Sequence, residues 1–296
     1  MSPAPSPASG PGRLPLLRLL GGSVCISFSP IFIKLAVVPP DVAGFYRMFF
    51  SSLALLLWLR LSATAWRMLR RPLLILAGGG VALGIDFMCW HRSIHLLGPG
   101  LSTLLGNFQV FFTALFSWLL FGQRLSRLFL GAVLLALTGL LLITGGDLAG
   151  LEPGYRHGVL LGLGTALCYS GYILLIKGAM GHAAVNGVSA MLVISLVCMS
   201  FMAAVSLVGG ASFRIPDSTS LLALTGVGVI STTLGWSLIS SAMREAPATI
   251  AGLVLLLQPA LSCVWDVLIF RRPTAGHEII GILLILGAIF LGSMRR

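Results

Sequence analysis

Along most of its length the chain alternates long apolar runs with short punctuations of charge, proline and glycine. Cut at those punctuations, it falls into ten spans, approximately 17–38, 42–61, 73–97, 99–121, 127–144, 158–180, 186–208, 220–243, 247–270 and 276–294. A bilayer-crossing helix needs roughly 20 apolar residues, whereas a membrane β-barrel shows alternating segments of about ten. The pattern therefore predicts an all-α membrane protein of about ten transmembrane helices. The fourth span holds Asn107 and Gln109 near its middle, and the ninth holds Gln258. Amides at that depth must face protein or a water-filled cavity, because an unsatisfied polar group in hydrocarbon costs several kcal/mol.

The pattern also repeats. LGGSVCISFSPIFIKLA (20–36) aligns with LGTALCYSGYILLIKGA (163–179), which sets Cys25 against Cys168, Ser27 against Ser170 and Lys34 against Lys177. Further along, Gln109 matches Gln258 and Phe121 matches Phe270. Each half holds five spans, so the second half enters the membrane from the opposite side. Two inverted five-helix repeats result, expected over 15–146 and 155–296, and such proteins place their site near the midplane between the repeats. The tail 1–14, rich in proline, serine and glycine, is expected to be disordered. With the N-terminus inside, twelve arginines and lysines fall on the inner side and six on the outer, Lys34 being left uncounted within the membrane. This distribution places both termini in the cytoplasm.

Composition narrows the classes. With 57% hydrophobic and 9% charged residues and a mean hydropathy of +1.02, too little polar material exists to clothe a soluble domain. The net charge of +11 is spread between apolar runs and forms no single basic patch, so it speaks for topology and against nucleic acid. The five cysteines lie inside apolar segments without CxxC or histidine spacing, which indicates neither a disulfide framework nor a metal site. Gly78, Gly79 and Gly80 follow no strand and precede no GK[ST], so no nucleotide loop or other cofactor motif is present. Asp86 and Asp266 are the embedded acids, and no Gly-x-Gly-Asp or Gly-x-Ser-x-Gly signature accompanies them, so nothing points to an intramembrane enzyme.

The third span carries the densest chemistry. Leu83, Asp86 and Trp90 share one face, and Phe87, His91 and His95 the neighbouring one. An intramembrane carboxylate or imidazole marks a functional site because its burial is costly; the competing reading is a structural bond to another helix. Trp90 offers a ring to a ligand or an anchor at the interface. Thr103, Asn107 and Phe111 form a stripe on the fourth span with Gln109 beside it, and Gln258, Ser262 and Asp266 form its counterpart on the ninth. Amides suit a zwitterion, offering donors and an acceptor without fixed charge, but they also bond helices together. Tyr169 and Trp236 could wall a pocket or simply pack, and Ser231, Thr232 and Thr233 could bond back to their own helix. Lys34, Lys177 and Arg47 read as snorkelling or interfacial cations.

The inverted halves, the segment SPIFIKLA and the run LSTLLGNFQVFFTALFSWLLFGQRLSRLFLGAVLLALTGLLLI resemble the EamA-type members of the drug/metabolite transporter superfamily. In the turn FGQRLS, Gln123 stands where that family usually has Glu. The resemblance extends over the whole chain after the tail, and the amino-acid exporters of the YddG type are the branch it favours. It implies a multi-pass protein of the bacterial inner membrane that exports amino acids or similar small metabolites by alternating access. Asp86, Trp90, His91, Thr103, Asn107, Gln109, Tyr169, Trp236, Gln258 and Ser262 are then the candidate substrate-binding residues. Export of drugs or quaternary amines, and exchange of sugar phosphates, are the alternatives; the latter demands fixed cations deep in the protein.

Overall fold

The computed structural model describes residues 13–62, 70–122, 125–144, 152–180, 187–243, 245 and 248–293. Most of the tail, and Gln123 and Arg124 of the FGQRLS turn, lie outside these residues. Among the described residues every regular element is helical. In chain order they are α1 (Arg13–Ser27), α2 (Ser29–Leu35), α3 (Pro40–Leu61), α4 (Arg70–Leu97), α5 (Pro99–Gly106), α6 (Gln109–Phe121), α7 (Arg127–Ile143), α8 (Pro153–Met180), α9 (Gly187–Val208), α10 (Ser218–Gly226), a π-helical stretch Val227–Gly235, α11 (Trp236–Ala242), α12 (Ala248–Leu255), α13 (Leu257–Phe270) and α14 (Gly276–Ser293). Among the described residues, eight stretches are long and apolar enough to cross a membrane, and Arg127–Ile143 and Leu257–Phe270 are shorter apolar helices.

Three of the expected spans are broken helices, and the residues explain why. Pro30 and Pro259 have no N–H for the carbonyls four residues back, so the chain restarts as α2 after Phe28 and as α13 after Leu256. Between α5 and α6 no proline intervenes. There the Asn107 Nδ2 donates to the Thr103 carbonyl (2.8 Å), and the Asn107 amide is shared between Thr103 and Leu104, both at 3.2 Å. A side chain competing for the backbone's own acceptor opens the ladder at that point.

Helix packing follows the repeat. α3 lies against α9 and α7 against α14, each helix meeting its counterpart, and the two broken spans meet through α5 and α13, whose own counterparts are α12 and α6. α4 packs along α8, and correspondingly α11 and the π stretch pack along α1. Exchanging the halves leaves the α3–α9 and α7–α14 contacts unchanged and turns α4–α8 into the contact of α11 and the π stretch with α1, whereas α5–α13 has no α6–α12 equivalent of like extent among the described residues. At the α7–α14 crossing the symmetry reaches single atoms. A Cβ on Gly139 would stand 2.7 Å from the Gly281 carbonyl oxygen, and one on Gly281 would stand 2.6 Å from that of Gly139. Leu128, Leu130, Leu134, Leu137 and Leu141 cover the outer face of α7, a surface suited to lipid rather than water.

Because α7 and α14 touch through backbone, side-chain bulk there should separate the halves. Gly281→Val is expected to lower the heat-denaturation midpoint in detergent, in keeping with overpacking costs of about 1–3 kcal/mol. Gly287→Val, which meets nothing within 4 Å, should leave the midpoint in place. Equal midpoints for both variants would show that the crossing tolerates separation.

Candidate functional site

The largest buried cluster draws α3 and α4 from the first repeat together with α8, α9 and α10 from the second. At its centre is Arg47, only 5% exposed. α3 starts at Pro40, so Arg47 sits seven residues into the helix, roughly 10 Å along its axis at 1.5 Å per residue. The interfacial anchor expected from the sequence is therefore corrected: the guanidinium is inside the protein. Its Nε donates to Thr232 Oγ1 (2.9 Å), and its central carbon lies 4.2 Å from the Phe87 ring centre and 5.3 Å from that of Trp90. Asp86, His91, Cys198, Tyr169 and Tyr172 are further electrostatic neighbours.

The π stretch is what brings Thr232 to Arg47. Thr232 and Thr233 donate to the carbonyls five residues back, Val227 at 2.8 Å and Gly228 at 3.0 Å, which matches the wider π turn. Ser51 Oγ and Thr233 Oγ1 form a second link to α3 at 3.1 Å. Gly228 permits the approach, since a Cβ there would lie 2.8 Å from the Arg47 carbonyl oxygen and 2.6 Å from Phe50 Cβ. Thus the back-bonding expected of these threonines occurs, and Thr232 in addition accepts from the arginine.

On α4, Asp86 is 4% exposed and His91 fully buried. His91 Nδ1 lies 2.9 Å from the Pro40 carbonyl, which can only accept, so the proton resides on Nδ1. The imidazole stacks on Phe87 at 5.2 Å and 13°. The next residue, Arg92, grips Asp41 with two bonds of 2.6 Å, which fixes the start of α3 against α4. Within the frame so built, Arg47 Nη1, Asp86 Oδ1 and His91 Nε2 are buried without hydrogen-bond partners.

The other expected residues have separate positions. Tyr169 joins the Arg47 cluster, its ring 5.3 Å from that of Tyr172. Asn107, Gln109 and Gln258 stand at the helix breaks; Gln109 Oε1 accepts from Thr113 (3.3 Å), and its carbonyl accepts from Ser170 (3.1 Å). Thr103 donates its hydroxyl to the Pro99 carbonyl, and Ser262 donates to the carbonyls of Gln258 and Ser27. Trp236 packs with Leu19 and Ile239 in a smaller cluster formed by α1, α11 and α12. Asp266 Oδ2 accepts from the Gly100 amide at the start of α5 (3.0 Å), beside Gly98, whose φ of +91° suits glycine alone. Lys34 turns inward: its Nζ donates to the carbonyls of Ile94 (3.5 Å) and His95 (3.2 Å), whereas Lys177 is exposed. Arg47 was detectable in principle, since Asp86 in one apolar span calls for a counter-charge and Arg47 is the cation set inside the preceding one.

Comparison with known proteins agrees with this architecture. A family model described as the EamA-like transporter family matches residues 13–145 and 156–294. No curated protein matches the chain. A solved structure, titled only as the crystal structure of a protein, is similar in fold, with a TM-score of 0.66, 18% identity, and coverage of 95% of this chain and 98% of that one.

Thr232→Val keeps the shape of the side chain but removes the acceptor for Arg47 Nε. A buried charged donor left unpaired costs about 1–3 kcal/mol or more, so the melting midpoint in detergent should fall. Thr138→Val, on an exposed face where Oγ1 bonds its own helix at Leu134, should melt like the parent. Identical midpoints for all three proteins would mean that Thr232 does not hold the guanidinium.

Proposed function

The chain belongs to the EamA-like transporter family, and on that footing we propose that it is a secondary exporter of amino acids or related small metabolites that works by alternating access. The observation that carries this reading is the set of partnerless buried polar atoms on Arg47, Asp86 and His91, in a cluster to which both repeats contribute. A buried polar atom without a partner costs free energy, and a small polar cargo would supply the missing partners. Phe87, Trp90, Tyr169 and Tyr172 would face its apolar part. The breaks at Asn107 and Leu256 support the alternating-access part, since interrupted helices with amides beside them are a common device of such carriers. Asn107, Gln109 and Gln258 are then path-lining residues, and Thr103, Ser262 and Trp236 steady the helices that bear them. We take the two units as 15–146 and 155–296, in a bacterial inner membrane with both termini cytoplasmic.

Arg47 also bears on the alternatives. A buried guanidinium beside the acid opposes a quaternary amine or cationic drug, because a like charge in a low-dielectric site repels strongly. It supplies the deep cation that a sugar-phosphate exchanger needs, and so that class stands as the second reading. Proteoliposomes loaded with unlabelled amino acids should take up labelled ones by counterflow, and Asp86→Asn should reduce that uptake by about tenfold or more. Counterflow of sugar phosphates or of amines, with none of amino acids, would replace the proposal with the corresponding alternative.

A further inference from the structure

We infer that Arg47 and Asp86 are the two ends of one receptor for a dipolar α-amino acid, with Arg47 taking the carboxylate and Asp86 the ammonium group. The inference deepens the amino-acid reading of the preceding section and rests on it. Each of the two residues is the other's principal charged neighbour, yet no hydrogen bond joins them, and Nη1 of one and Oδ1 of the other are buried and unpartnered. Opposite charges in a dry interior ordinarily close on each other. Here the guanidinium is held back: Thr232 occupies its Nε, and the Phe87 and Trp90 rings lie within 4.2 and 5.3 Å of its central carbon. With Nε bonded and rings against it, the Nη edge is the part left for an anion, and a carboxylate meets a guanidinium edge-on in its plane. An α-amino acid carries its two charges on groups separated by one carbon, so a single small molecule can satisfy both ends.

The arrangement also sets what is refused. A molecule with only one of the two charges leaves either a guanidinium or a carboxylate buried and unpaired, and sites of this kind discriminate strongly against the analogue that lacks a group. The prediction is tested on the full chain in detergent with L-leucine, L-phenylalanine and L-threonine, each beside its amide and its des-amino acid. Titration calorimetry should give at least one free amino acid bound about tenfold or more tightly than both of its analogues. Arg47→Gln should erase the preference over the amide while keeping that over the des-amino acid, and Asp86→Asn should do the converse. Arg47→Lys retains the charge without the fork and should weaken the free amino acid without erasing its preference over the amide, which keeps the test open if Arg47→Gln does not fold. If an amide binds as tightly as its amino acid, the receptor assignment falls while the amino-acid reading stands. If no free amino acid binds, both fall together.

Discussion

A guanidinium buried inside a membrane protein must be satisfied by that protein or by what it carries, because hydrocarbon supplies nothing in exchange. The surroundings of Arg47 follow from this constraint. A π turn presents a threonine hydroxyl, a glycine lets that turn approach α3, and two rings from α4 lie close to the cation. Cation–π contacts of about 0.5–2 kcal/mol each and a charge-assisted bond of about 1.5–3 kcal/mol offset part of a desolvation cost of several kcal/mol. Asp86 is the leading electrostatic neighbour of Arg47, and no hydrogen bond joins the two. The two residues are thus incomplete in their hydrogen bonds, which is what the proposed site requires.

The scaffold is symmetric and the site is not. Gly139 and Gly281 contact each other reciprocally, and α3 and α9 meet as counterparts. The fixed charges, however, come from α3 and α4 alone, while α8, α9 and the π stretch contribute neutral groups, namely Tyr169, Tyr172, Cys198 and Thr232. Lys34 shows the same divergence, capping the carbonyl end of α4 where its repeat-mate Lys177 is exposed. An inverted repeat therefore supplies a frame with two equivalent ends, within which one half carries the charge and the other shapes the walls.

Much of this was readable from residue order. Apolar runs of bilayer length, an odd number of them per repeat, and an aspartate and a histidine inside the third run lead directly to the fold class and to α4 as the polar helix. Arg47 was misplaced because a boundary drawn at residue 42 puts it near the membrane surface, whereas the Pro39–Pro40 start adds part of a turn and carries it inward. The hydroxyls of Thr103 and Ser262 illustrate a different limit. Serine and threonine bond the carbonyl four residues back as readily as they bond a ligand, so residue type cannot separate the two uses. The π stretch is hidden for a similar reason, since VGVISTTLG carries no proline and its threonine hydroxyls bond carbonyls of their own helix, a use that residue type does not reveal.

Between the repeats, small residues and few strong bonds set how firmly the halves hold. Gly22 packs against Gly235 and Ile239, Gly80 against Val197, and Gly162 against Leu105, so backbones approach closely and van der Waals contact acts beside neutral hydrogen bonds such as Ser51–Thr233 and Ser170–Gln109. Among the described residues, the buried cross-repeat hydrogen bonds that involve a charged side chain are Arg47 to Thr232 and Asp266 to the Gly100 amide. The second closes one end of the α5–α13 contact, and the first lies at the site itself. An anion drawn to Nη1 shares the guanidinium with Thr232, so occupancy and the inter-repeat bond act on one delocalised cation. By reciprocity, whatever loosens the π stretch from α3 must alter affinity at Arg47, and whatever binds Arg47 must alter the hold of one repeat on the other. Under the proposed alternating-access reading, a carrier that moves its halves around a central cargo needs that coupling, and a single side chain would provide it.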